Sequence, residues 1–143
     1  LKKQTKAYIE ALLEDYPHYS MYKAQREFEL RHPYQERDEN VGGGKAQFKK
    51  NDAVDRMLIT IDEDKRLNSL WREHFAIQVC FEEATEDVQK IVKYLFFTDA
   101  KVRKYYSIRE LAEDNKLSCS SATAYREFNQ FLEEVAIELG LHV

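Results

Sequence analysis

The stretch Ser107–Leu132, SIRELAEDNKLSCSSATAYREFNQFL, constrains the fold of this chain more than any other. Ser107 and Glu110 form a capping box, in which the hydroxyl takes a free amide of the first turn and the carboxylate reaches back. Ile108, Leu111 and Ala112 then share one face of a short helix. Asn115 to Cys119 breaks the pattern. A second helix follows, with Ala124, Phe128, Leu132, Val135 and Leu139 on its apolar stripe. Small residues at Ala112 and Ala124 would let the two backbones cross closely. This is the pattern of a helix-turn-helix, whose second helix enters the major groove of DNA. The apolar register makes Ser120 the N-cap of that helix, so the turn is about two residues longer than usual.

With Ala124 facing inward, helical spacing turns Ala122, Arg126 and Asn129 outward, with Thr123 and Tyr125 on the flanks. Ser121 lies in the first turn, where the helix dipole favours a phosphate. Arg reads guanine with two hydrogen bonds and Asn reads adenine, while Thr, Tyr and Ser suit phosphates. Lys101, Arg103, Lys104 and Arg109 cluster before and inside the first helix, placed to lie along phosphates. Glu133, Glu134 and Glu138 lie at the far end of the second. The net charge of −4 opposes a strongly basic nucleic-acid binder. From Ala84 onward there are eight Lys/Arg against ten Asp/Glu, so stand-alone DNA affinity should be weak and helped by dimerisation or a protein partner.

Upstream, residues 3 to 16 read as a helix with a stripe of Ala7, Tyr8, Ala11, Leu12 and Tyr16, stopped at Pro17. A second helix runs from about Tyr19 to Arg31, with Met21, Tyr22, Gln25 and Phe28 near one face. Residues 34–50 read as a loop, since three glycines at 42–44 are too flexible for an element interior. The loop is no Walker A motif: the earlier glycine is missing and Ala46 replaces the Ser/Thr. Lys45, Lys49 and Lys50 make it a candidate flap onto DNA.

From Asn51 the chain resumes helix without a break to about Glu83. Val54, Met57, Leu58, Ile61, Leu67, Leu70, Trp71, Phe75, Val79 and Cys80 form a broad stripe, and Asp62 to Arg66 bulges toward solvent. Such a helix would be about 45 Å long. Two short N-terminal helices cover part of it, which leaves room for another helix or a second copy of the chain. Thr85 caps the next helix, with Val88, Ile91, Val92, Leu95 and Phe96 inward. The expected fold is all-α: N-terminal helices with one long helix over residues 1–83, then a three-helix helix-turn-helix unit over 84–143.

Cys80 and Cys119 lie in no metal-ligand or redox spacing, and the four histidines are scattered, so neither a metal nor a cofactor is expected. No nucleophile and base stand at an interpretable spacing, and no enzyme activity is expected. No long apolar run exists, and the N-terminal LKKQTKAY has no hydrophobic signal region. A soluble, cytoplasmic protein with no membrane association is the expectation.

The segments KAYIEALLEDYPHY, PYQERDENVGGGKAQFKKNDAVDRM, EDKRLNSLWREH and ATAYREFNQFLEE together resemble phage late-gene transcriptional regulators of the RinA/ArpU type. The C-terminal unit also resembles the promoter-reading region 4 of sigma factors. The resemblance implies a DNA-binding activator of phage late genes for packaging, structural and lysis functions, acting in the host bacterial cytoplasm. By motif position it sets the recognition helix on Ser121, Thr123, Tyr125 and Arg126. This chain departs from the pattern at the turn, where NKLSC replaces a short turn with glycine. Double-stranded DNA is the expected partner, with RNA polymerase and a second copy of the chain as further candidates. Two other readings stand beside it: a small-terminase-like packaging protein, and a polymerase-binding adaptor without DNA specificity of its own.

Overall fold

The computed structural model describes residues 1–32 and 50–142. The glycine-rich segment, with Lys45 and Lys49, lies outside the described residues, as does the side chain of Lys50. The described residues are helical, without strands: α1 (Lys3–Asp15), α2 (Tyr19–Arg31), α3 (Lys50–Glu63), α4 (Lys65–Glu83), α5 (Glu86–Val92), α6 (Ile108–Glu113) and α7 (Ser121–Glu138). A 3-10 turn, Tyr16–His18, joins α1 to α2, and a π-helical turn, Lys93–Phe97, follows α5. None of these helices is long and apolar enough to cross a membrane.

The chain forms two compact units, and they do not follow the expected division at residue 84. Residues 1–18 join residues 72–143 in one unit, and residues 19–71 form the other. The physical reason lies in α1. Its buried side chains are Ile9, Leu12 and Leu13, with Tyr16 half-buried, a spacing of three, four and seven that makes one helical face. The expected stripe was rotated from this: Ala7, Tyr8 and Ala11 are exposed. Ile9 and Leu13 bury far more apolar area than two alanines would, so they set the rotation. Tyr8 donates its hydroxyl to Glu73 at 3.0 Å.

In this first unit α7 is the central element, packed by α1, α5 and α6. It buries Ala124, Phe128, Leu132 and Val135 as expected, and Phe131 and Ala136 widen the face. Val88, Ile91, Val92 and Leu95 bury against it, and Phe96 stacks on Phe128 with ring centroids 5.7 Å apart. Tyr16 lies between His74 and Phe97, stacked on both at 4.4 and 4.8 Å. Leu139 and Gly140 (φ +72°) close α7 in a Schellman turn, with Leu141 N–H on the Ala136 carbonyl at 2.9 Å.

The second unit corrects the expectation of one unbroken helix from 51 to 83. The chain breaks at Asp64. An aspartate in a helix interior competes for backbone amides, and here it does so as an N-cap. Its Oδ2 accepts the Leu67 amide at 3.0 Å, and the side chain is not thrown into solvent but is 10% exposed. Arg26 of α2 donates Nε and Nη2 to its two oxygens at 3.1 and 2.8 Å, a bidentate bond that ties α2 to the break. The guanidinium holds the carboxyl down at about 2, and the Leu67 amide adds to the effect.

Candidate nucleic-acid interface

The candidate surface is built from α6, the connection after it, and the first half of α7. Ser107 caps α6 by accepting the Glu110 amide at 3.2 Å. The reciprocal bond is shifted by one residue: the Glu110 carboxylate accepts the amide of Tyr106, at 3.0 Å, rather than that of Ser107. Ile108 and Leu111 are buried, while Ala112 is half-buried. Leu111 and the fully buried Ala124 are thus the inward residues where α6 and α7 pack, in place of the expected pair of alanines.

The turn shows why it does without glycine. Asn115 takes the left-handed conformation, φ 56°, that glycine usually supplies at this place. Around it Lys116 N–H reaches the Leu111 carbonyl at 2.9 Å and Asn115 N–H reaches that of Ala112 at 3.2 Å, the two bonds of a Schellman motif. The chain then runs to Ser120, which caps α7 by accepting the Thr123 amide at 3.3 Å. The Ser120 hydroxyl donates to Thr123 Oγ1 at 3.1 Å, so Thr123 also belongs to the cap.

Between these ends the connection is pinned from outside. Asp87, in the first turn of α5 and 7% exposed, accepts the Ser118 amide at 3.0 Å and the Ser118 hydroxyl at 2.6 Å. Burial alone would raise its pKa. Hydrogen bonds from Ser118 and the Cys119 thiol outweigh this, and the net shift is downward. Sequence reasoning saw Asp87 only as a charge favouring the start of α5. No local signal could reveal a bond spanning thirty-one residues.

On α7, Ala122, Tyr125, Arg126 and Asn129 are exposed, and Ser121 and Thr123 are half-buried. Arg126, Asn129, Gln130 and Glu133 line one shallow surface depression. Before α6, Lys101 and Lys104 are exposed. Arg103 is not an open cation: its Nη2 donates to the Thr98 carbonyl at 3.1 Å and its Nε is buried. Arg109 pairs with Glu113 at 3.0 Å, both largely exposed, a bond weak enough to exchange for a phosphate. Tyr105 donates to Asp114 at 2.6 Å; that bond, ahead of burial, pushes its pKa up to about 12.

Asp87, Cys119 and Glu127 bring potential metal-ligand atoms within 4.8 Å of one another. Both Asp87 oxygens already serve Ser118, and Thr85 donates to Glu127 at 3.4 Å. Burial and the neighbouring Asp87 raise the Cys119 pKa, which disfavours the thiolate a metal needs. The cluster acts as a hydrogen-bonded brace behind the turn.

Residues 6–136 match the family model described as "Protein of unknown function (DUF722)", and the chain belongs to that family. No curated protein and no solved structure matches it.

Proposed function

We propose that this member of the DUF722 family is a sequence-specific DNA-binding transcription regulator, an activator of phage late genes in the host bacterial cytoplasm, with no catalytic chemistry. The observation that carries the reading is α7. It is capped at Ser120, seated on the buried Ala124, and turns Ala122, Tyr125, Arg126 and Asn129 to solvent. In this reading α6 and α7 form a helix-turn-helix and α7 is the recognition helix. Arg126 and Asn129 carry the donor patterns that read base edges, and Ser121 and Tyr125 suit phosphates. Lys101 and Lys104 flank the motif as exposed cations, and Arg109 exchanges Glu113 for the DNA backbone. Arg103 shapes the loop that presents them. The likeness to RinA/ArpU-type regulators and to sigma region 4 supports the same reading.

The acidic balance of the chain favours a second reading, an adaptor that meets RNA polymerase and has no DNA specificity of its own. Selection of bound duplexes from a random pool by the purified full chain separates the two. A regulator enriches one sequence. On that duplex Arg126→Ala should cost about 1–3 kcal/mol while leaving random DNA little changed. Equal loss on both duplexes makes Arg126 a phosphate contact. No enrichment, together with retained polymerase binding, favours the adaptor.

A further inference from the structure

Between the π-helical turn and α6 the chain forms a braced loop. It carries the most exposed large apolar side chain among the described residues, Tyr106 at 68%. The loop starts with a turn at Asp99, whose carbonyl accepts the Val102 amide at 3.0 Å and whose Oδ1 accepts the Lys101 amide at 3.2 Å. From Arg103 to Ser107 burial then alternates, with the two-residue period of extended chain. Arg103, Tyr105 and Ser107 are the inward set. Arg103 bonds the Thr98 carbonyl, Tyr105 bonds Asp114 and meets Tyr94 edge-on at 5.3 Å, and Ser107 caps α6. Lys104 and Tyr106 are the outward set, on one side of the segment and about 7 Å apart by the rise of two extended residues.

Two features select the partner of this pair. The first is charge. Residues 100–106 hold three cations, Lys101, Arg103 and Lys104, and no carboxylate. The carboxylates around the segment act as acceptors for its own donors: Asp99 for the Lys101 amide, Glu110 for the Tyr106 amide and Asp114 for the Tyr105 hydroxyl. What the segment offers outward is an ammonium group beside an aromatic ring, which suits an anion joined to a flat ring. The second feature is preorganisation. Tyr106 is fixed through its amide and Tyr105 through its hydroxyl, so the exposed ring is presented with little ordering left to pay for on binding. A phosphate with its adjoining base fits both groups. In a duplex each base face is covered by its neighbours, so the face that Tyr106 can stack on belongs to an unpaired base.

We propose that Lys104 and Tyr106 form a second nucleic-acid site, which takes an unpaired base on the Tyr106 ring and a phosphate on Lys104. The inference rests on the DNA-binding reading for its class of partner, and adds to it a preference for single-stranded or opened DNA. It uses no residue of α7.

The test is fluorescence anisotropy of a labelled oligothymidylate with the full chain, at several salt concentrations, beside a random duplex of the same length. Circular dichroism confirms the helix content of each variant. The wild type should bind the oligothymidylate. Tyr106→Ala should weaken that binding about tenfold and leave the duplex within about twofold, while Tyr106→Phe, which keeps the ring, should stay within about twofold on both. Lys104→Gln should weaken the oligothymidylate and reduce its salt slope by about 0.7. Absence of oligothymidylate binding overturns the proposal, and so does a Tyr106→Ala loss below twofold. Equal losses on both DNAs make Tyr106 a backbone contact, and Tyr106→Phe as weak as Tyr106→Ala assigns the effect to the hydroxyl; either result overturns the stacking. Arg126→Ala should not move the oligothymidylate, so failure of α7 as the recognition helix is read separately, on the selected duplex.

Discussion

Replacing Asp87 by alanine strips the connection before α7 of its external anchor. The Ser118 amide and hydroxyl both lose their acceptor, at 3.0 and 2.6 Å. Bonds to a charged group contribute about 1.5–3 kcal/mol each, and because Ser118 is exposed, water takes up part of what its two donors lose. Loss of a negative charge in the first turn of α5 adds about 0.3–1 kcal/mol. Relief of burying a carboxylate that is 7% exposed offsets part of this. The net expectation is a destabilisation of about 2–4 kcal/mol. Urea unfolding reads it as a lower midpoint with an unchanged slope. Asp87→Asn keeps the shape and one acceptor and should lose about half as much. The sign of the pH dependence follows from the lowered pKa. The stabilisation is present in full above the ordinary aspartate range, near 4, and is lost as pH falls through the folded pKa. The gap between wild type and Asp87→Asn should therefore close in acid. A loss below about 0.5 kcal/mol in Asp87→Ala would refute the reasoning, because the turn would then be held by its Schellman motif and the Ser120 cap alone.

Asp64, held down at about 2, should contribute on the order of 2 kcal/mol at neutral pH, lost as pH falls from about 4 to about 2. Comparing acid unfolding of wild type and Asp64→Ala checks this, and identical curves would contradict the bidentate bond. Ala124→Leu should destabilise by about 1–3 kcal/mol through overpacking against α6, read in the same urea assay; an unchanged midpoint would mean slack at that crossing. Neither thiol should be reactive at neutral pH. Burial, with nearby Glu138 and Glu134, pushes Cys80 up to about 12, and Cys119 is raised as well. Thiol labelling should modify the half-buried Cys119 slowly and Cys80 only on unfolding. Fast labelling of Cys80 would show that the α4 packing opens.

The candidate surface was largely legible because its signals are local. Ser107, Thr85 and Ser120 cap their helices as their sequence neighbourhoods indicate, and the α7 stripe follows from its 3.6-residue period. Ala124 inward and Arg126 outward follow from that same period. The lengthened turn was legible too, but not the reason glycine is dispensable there. That required the backbone of Asn115. Arg103 read as one of a row of phosphate-facing cations, yet its guanidinium bonds the Thr98 carbonyl, because the loop folds back on itself.

What the sequence by itself determined is the helical class, most of the caps, and which residues of α5 and α7 face inward, since all of these depend on residues within a few positions of one another. What only the tertiary structure decided is every choice between competing faces and partners. Α rotation of α1 onto Ile9 and Leu13, its joining of the C-terminal helices, the break at Asp64 and the clamp from Asp87 to Ser118 each depend on a surface far along the chain. A helical period specifies that a face is buried, but the neighbour that supplies the apolar area or the hydrogen-bond donor specifies which face and against what.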